Sequence, residues 1–386
     1  MIFLDAAATT PVRREVIEAM FPLLTNQFGN PSSHHGLGEQ AAAALADARQ
    51  RCAVVLGARA EELVFTSGGT EADNLALKGI ALARRSADPS LNRILISAME
   101  HPAVVESANY LHRVHDFTVD VVPVDSNGLV DPDVFEQMLE STSNVAVASI
   151  MYANNEVGTV QDIDVLARIA AASGVPLHTD AVQGAGWLSL NVQELGVSAL
   201  SISGHKMGAP KGVGLLYVRA GTRYEPLIHG GGQEHGARSG TENVAFAVAL
   251  ATALELSEAG RGAALSRVSG LRDGFIDFVL ASLPAAVLTG HRMRRLPNVA
   301  SFCFPGISGE SVLLELERRN IICSSGSACA AGSDEPSPVL CAMGVERAVA
   351  QTALRFSFAV DVTQDQLSTA GQELVEAVGR MLRLGR

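Results

Sequence analysis

The stretch Leu63-Val64-Phe65-Thr66-Ser67-Gly68-Gly69-Thr70-Glu71 decides the fold. Four apolar and β-branched residues run into two glycines and then into Ala-rich sequence of helical period over 71–84. The same succession repeats downstream. Strand-like runs at 93–96, 117–122, 145–150 and 175–178 alternate with helix-like stretches at 102–113, 131–140 and 162–173, and Asp131-Pro132 and Asp162 supply N-cap openings for the last two. Strand and helix alternating in this way predict an α/β protein with a mostly parallel sheet wrapped by helices. After the glycine-rich stretch 229–240 the pattern changes to two long helices, about 241–258 and 261–282. Strands at 299–304, 321–323 and 354–358 and helices at 309–319 and 363–382 follow. That α+β pattern predicts a second, smaller domain.

The chain has 386 residues, 47% hydrophobic and 18% charged, which excludes a disordered polypeptide and leaves room for a large core. Its 29 Lys+Arg against 41 Asp+Glu give a formal charge of −12 with no basic stripe, which argues against direct nucleic-acid binding. The longest nearly apolar stretch, 244–254, is well short of the roughly 20 residues that span a bilayer, so no membrane role is expected. Met1-Ile2-Phe3-Leu4 meets Asp5 at once and lacks the basic and apolar regions of a signal peptide, which predicts a cytoplasmic protein. Cys52, Cys303, Cys323, Cys329 and Cys341 are too few for a disulfide framework and contain no Cys-x-x-Cys pair, so no metal site is expected and any cysteine chemistry rests on one thiol.

Ligands of open α/β sheets bind at the carboxyl ends of the strands, and four loops there are chemically rich. The Thr66-to-Glu71 loop presents Gly69 and Thr70 at a helix start, a place for a phosphate as well as an ordinary glycine turn. Asp180, ending Pro176-Leu177-His178-Thr179, is either a helix cap or a carboxylate that keeps a heteroaromatic nitrogen protonated. Ser203-Gly204-His205-Lys206 ends a buried strand in a lysine, which is either a solvated surface group or a partly desolvated amine able to form a Schiff base. The segment 324–333 holds only Ser, Gly, Ala and Cys329, so this cysteine is expected to be exposed, whereas the other four sit in apolar or helical surroundings. His229-Gly230-Gly231-Gly232 has no accompanying Gly-x-Ser-x-Gly elbow, which argues against a serine hydrolase, and neither Gly-x-Gly-x-x-Gly after a strand nor a Walker A sequence is present.

Across nearly its whole length the chain resembles the cysteine desulfurases of the NifS/IscS-like group, pyridoxal-phosphate enzymes of the class V aminotransferase family. The matching segments include Leu4-Asp5-Ala6-Ala7-Ala8-Thr9-Thr10-Pro11, Ser67-Gly68-Gly69-Thr70-Glu71, Glu100-His101, Asn154-Asn155-Glu156-Val157-Gly158, Asp180-Ala181-Val182-Gln183, Ser203-Gly204-His205-Lys206, Arg238-Ser239-Gly240-Thr241, Ser324 to Cys329 and Arg355-Phe356-Ser357. The resemblance implies a fold type I transferase. Its large domain would span 14–258, and its small domain 1–13 plus 259–386, with a mobile cysteine loop at 324–334. Lys206 would carry the cofactor pyridoxal 5'-phosphate, Asp180 would pair with its ring nitrogen and Gln183 with its ring hydroxyl oxygen. Gly69, Thr70, Ser203 and His205 would cradle the phosphate, with Thr241 reaching in from a second subunit of a homodimer. His101 would stack on the ring and assist proton transfer, Asn155 and Arg355 would hold the substrate carboxylate, and Cys329 would attack the sulfur of L-cysteine. The long Ser-Ser-Gly-Ser-Ala-Cys loop resembles the subgroup that passes sulfur to acceptor or scaffold proteins for iron–sulfur assembly or tRNA thiolation. A selenocysteine lyase-type enzyme and a sulfur-relay scaffold are the alternatives. Ala6, His235 and Phe358-Ala359-Val360 depart from the family pattern, where Asn or His, Arg, and Leu-Gly-Arg are usual.

Overall fold

The computed structural model describes residues 1–325 and 335–384. The first strand, β1 (Ile2–Phe3), stands apart from the main sheet, which holds β2 (Leu63–Thr66), β3 (Arg93–Ser97), β4 (Thr118–Val122), β5 (Val145–Ser149), β6 (Leu177–Asp180), β7 (Ala199–Ser203) and β8 (Gly214–Val218). Their order is β2-β8-β7-β6-β5-β3-β4. The run β7-β6-β5-β3-β4 is parallel, whereas β8 is antiparallel to both β7 and β2. The expected strands and crossover helices are present within a few residues of the boundaries read from sequence. β8 is the addition: only residues 204–213 separate it from β7, too few for a crossover helix, so the chain has to return antiparallel.

Both faces of this sheet are buried, and the alternation along each strand assigns them. Leu63, Phe65, Leu95, Leu200 and Ile202 join a cluster with the helices Arg14–Thr25, Gly36–Leu56 and Ile163–Ala172, while Val64, Ile94, Ile96 and Ala199 join another with the helices Gly69–Ala87 and Pro102–His115.

Beyond the sheet, one helix of 39 residues, Val244–Ser282, replaces the two that the sequence suggests. Gly260 and Gly262 each cost about 1 kcal/mol in a helix interior. That cost is outweighed because the residues up to Leu254 are buried in the first cluster and those from Val268 to Val279 in another, and Arg261 pairs with Glu258 at 2.8 Å across the weak point. The second of these clusters lies on a four-stranded antiparallel sheet, β12-β13-β10-β9, made of β9 (Val287–Leu288), β10 (Val299–Cys303), β12 (Ser324–Ser325) and β13 (Ala353–Ser357). β11 (Ile321–Ile322) pairs with β1 and so ties the N-terminus to this part of the chain. Among the described residues no helix is long and apolar enough to cross a membrane.

Candidate active site

Because β2, β3, β5, β6 and β7 run parallel, their carboxyl ends share one edge of the sheet, and the polar residues that follow them converge there. Gly214 pairs with Thr66 on one side and Ser203 on the other, which sets the Gly68-Gly69 turn beside the end of β7. A Cβ at Gly69 would stand 2.8 Å from Val182 Cγ2 and 3.3 Å from Ser203 Cβ, so the N-terminus of the helix Gly69–Ala87 is packed against Ser203 and the turn after Asp180 as closely as a glycine allows. Free N–H groups and the helix dipole make this junction a place for an anion, with Thr70 exposed beside it.

Asp180 ends β6, is 4% exposed, and accepts a hydrogen bond from Val182 N at 2.9 Å. Burial pushes its pKa up, against the pull of His101 and Lys206. His101 caps the helix Pro102–His115, its Nδ1 accepting from Ala103 N at 3.1 Å, and burial lowers its pKa. The ring is therefore neutral, with its proton on Nε2. His205 is likewise pushed down, to about 4, by burial and by Lys206 and Lys211.

Lys206 closes a short 3-10 turn, Gly204–Lys206, after β7 and is half-buried. Its Nζ donates to Ala7 O at 2.6 Å and Ala8 O at 2.9 Å, and Gln183 Nε2 also donates to Ala7 O, at 3.0 Å. Thr10 N bonds His205 O, and Thr9 Oγ1 lies 3.1 Å from His205 Nδ1. The segment Ala6 to Thr10 thus straps the lysine turn, a role that spacing along the chain does not reveal. A cavity of about 560 Å³ opens beside Lys206 and Gln183, and the family departures Ala6, Phe358, Ala359 and Val360 all line it.

Arg355, on β13, is 1% exposed. Nη1 donates to Asn155 O at 2.9 Å and Nη2 to Asp5 Oδ1 at 2.7 Å, while the buried Nε has no partner among the described residues. The pairing with Asp5 joins residues 350 positions apart in the chain. Thr241 is exposed in the segment before Val244–Ser282. Cys329 and the part of its loop over 326–334 lie outside the described residues. Among the described residues there is no cluster of three or more His, Cys, Asp and Glu able to hold a metal ion.

Beneath Asp180 lies a polar layer that sequence reasoning missed. Period two puts His178 on the same face of β6, where Nδ1 is 2.9 Å from Ser149 Oγ and Nε2 is 2.9 Å from Ser201 Oγ. Asp73, from the helix Gly69–Ala87, stands 3.6 Å from Nε2, and Glu100 accepts from Met151 N at 2.7 Å. Burial pushes His178 down to about 3 and both carboxyls well above their ordinary range, helped for each by the charge of Asp180. Among the described residues Asp73 Oδ1 and Glu100 Oε2 have no well-formed hydrogen bond, and the pull of Ser201 on Asp73 and of Ser149 on Glu100 does not outweigh burial. A carboxyl whose pKa is raised on folding stabilises the fold below the ordinary carboxyl range, and that contribution is lost as pH climbs toward the raised value. Asp73→Asn and Glu100→Gln should therefore weaken the fall of the melting temperature as pH rises above the ordinary carboxyl range. Thermal melts that keep the wild-type slope in both variants would show the two acids already ionised.

The edge offers an anion cradle at Gly69-Thr70, a buried carboxyl at Asp180 suited to a cationic ring nitrogen, and an amine at Lys206. These residues fit a phosphorylated pyridine aldehyde. The chain belongs to the class V aminotransferase family, whose profile, Aminotransferase class-V, matches residues 2–369, and pyridoxal phosphate is the cofactor general to that family. Within it the similarity is to cysteine desulfurases. The chain is 44% identical to cysteine desulfurase IscS of Dictyoglomus turgidum over 95% of this chain and 92% of that one, and 41% identical to cysteine desulfurase NifS of Azotobacter vinelandii over 98% and 93%. A solved NifS-like protein superposes with a TM-score of 0.90 at 35% identity, covering 98% of this chain and 99% of its own. A solved structure of SspA in complex with cysteine has a TM-score of 0.80 at 33% identity, covering 93% and 99%.

Proposed function

We propose that the protein is a pyridoxal-phosphate-dependent L-cysteine desulfurase that yields L-alanine and a persulfide on Cys329. The observation that carries this reading is the meeting of Lys206, Asp180 and the Gly69–Ser203 junction at one sheet edge, in a chain similar to cysteine desulfurases end to end. When bound, the cofactor supplies an electron sink for the pair released at the substrate Cα. The residues of the chain do the rest. Lys206 attaches the cofactor, Asp180 keeps its ring nitrogen protonated, and Gln183 contacts the ring hydroxyl oxygen. Gly69, Thr70, Ser203 and His205 hold the phosphate, and neutral His101 stacks on the ring and offers its Nε2 proton. Asn155 and Arg355 receive the substrate carboxylate, for which Arg355 Nε is a donor without a partner among the described residues.

The sulfur step balances without an outside oxidant. The Cβ–S bond of cysteine and the S–H bond of Cys329 are replaced by a Cβ–H bond and an S–S bond, giving alanine and the persulfide. A thiol has to lose its proton to attack, so activation of Cys329 belongs to the occupied site. Measuring alanine and sulfide from cysteine for the wild type and for Cys329→Ser tests the reading. The variant should hold cofactor and lose cysteine turnover by on the order of a hundredfold or more. Full turnover without the thiol would instead indicate a β-elimination, and no turnover by the wild type a sulfur-relay scaffold.

The division near residue 258, with 1–13 and 259–386 as a smaller domain, belongs to the same proposal, as do a cytoplasmic location and delivery of sulfur to acceptor proteins for iron–sulfur assembly or thiolation. A homodimer with Thr241 completing the neighbour's phosphate site would account for that exposed threonine in the motif Arg238-Ser239-Gly240-Thr241. A fully active monomer in sedimentation would contradict it.

A further inference from the structure

The turn that holds Arg355 is built by Asn154, whose Oδ1 accepts from Glu156 N at 2.8 Å and Val157 N at 2.9 Å. That geometry turns Glu156 inward, where it is 8% exposed. Its Oε2 accepts from Ser337 Oγ at 2.5 Å. Ser337 is itself 2% exposed and caps the helix Pro338–Ala342, accepting from Leu340 N at 3.1 Å. On the other side, Ser324 pairs with Arg355 in the β12–β13 ladder. The sequence between Ser325 and Ser337 contains Cys329, so both of its anchored ends are fixed to the frame that holds Arg355: one through the ladder, the other through Glu156.

We propose that Glu156 is a positioning residue for sulfur transfer, acting through Ser337 to fix the C-terminal anchor of the segment that carries Cys329. This rests on the desulfurase reading and assigns Glu156 no contact with cofactor or substrate. A buried hydroxyl-to-carboxylate bond is directional, and its loss lets the anchor drift by enough to cost rate without touching the cofactor's own ligands. The charged group facing Glu156 is Arg355, with Asp5 behind it. Burial pushes the Glu156 pKa up to about 7, against the pull of Ser337 and Arg355. Below that pH the carboxylate takes up a proton and the charge-assisted bond becomes a weaker neutral one.

The test is a double-mutant cycle on the cofactor-loaded enzyme with Glu156→Ala, Ser337→Ala and both together, beside Glu156→Gln. Each single Ala variant should lower kcat for alanine release about tenfold, with KM for cysteine within about twofold of wild type, and the double should fall no further. Glu156→Gln, which keeps a neutral acceptor for Ser337 but cannot ionise, should hold kcat between those of wild type and Glu156→Ala and flatten the acid limb of the kcat profile. Additive losses, or a matching loss of cofactor absorbance, would make the pair ordinary packing and overturn the proposal. A fully active Glu156→Ala overturns it alone, whereas a wild type that releases no alanine from cysteine overturns the desulfurase reading and this inference with it.

Discussion

Lys206→Ala should lose the visible absorbance of the bound cofactor and lower turnover by more than about a thousandfold, because no other group can supply the attached amine. The lysine is half-buried at the end of β7, and its Nζ is aimed at the carbonyls of Ala7 and Ala8. Ala7 O keeps its bond from Gln183 Nε2, so the fold should survive, at a cost of about 1–3 kcal/mol for the lysine's bond lost at Ala8 O. The decisive measurement is borohydride reduction of the cofactor-loaded wild type followed by peptide mass mapping. A reduced adduct on Lys206, absent from the variant, is the expected result. An adduct on Lys78 or Lys211 instead would move the site elsewhere on the chain.

The parts legible in the sequence are those that depend on local pattern. Strand runs followed by Gly69, Asp180 and Lys206 stand out because apolar residues end abruptly in polar ones, and parallel strands deliver those ends to one edge. β8 was missed because nothing in Gly214-Leu215-Leu216-Tyr217-Val218 encodes direction; the shortness of 204–213 does, and it becomes informative only once β7 is placed. The long helix was divided because Gly260 and Gly262 have poor helix propensity, while the burial that overrides them involves residues far along the chain. Arg355 could be singled out from its motif, but its pairing with Asp5 could not, since β1 and β11 must first bring the N-terminus across. Asp73 and His178 were passed over for a similar reason. Each reads singly as a polar residue in an amphipathic element, and only the sheet face shows them meeting under Asp180.

Asp180→Asn should bind the cofactor roughly ten- to a hundredfold more weakly and turn over roughly a hundred- to ten-thousandfold more slowly, the second loss being larger because the charge matters most where electrons flow into the ring. The substitution keeps size and retains an oxygen for Val182 N, so geometry is preserved and the experiment isolates charge. An amide cannot hold a ring nitrogen protonated, and His101, whose pKa burial lowers, carries no charge to replace it. The sign with pH follows from the raised pKa of Asp180. In the wild type the carboxylate is available above that value, so cofactor affinity should fall as pH drops through it; in the Asn variant that limb should vanish. Apoprotein stability should respond in the opposite sense, the variant being spared the burial of a carboxyl that weakens the wild type as pH rises. Equilibrium binding of the cofactor by both proteins across the acid range reads the first effect, and thermal melts of the apoproteins read the second. An Asn variant with wild-type turnover would mean that the ring nitrogen needs no proton in this enzyme, and the buried carboxyls beneath it would then have to be explained as structure alone.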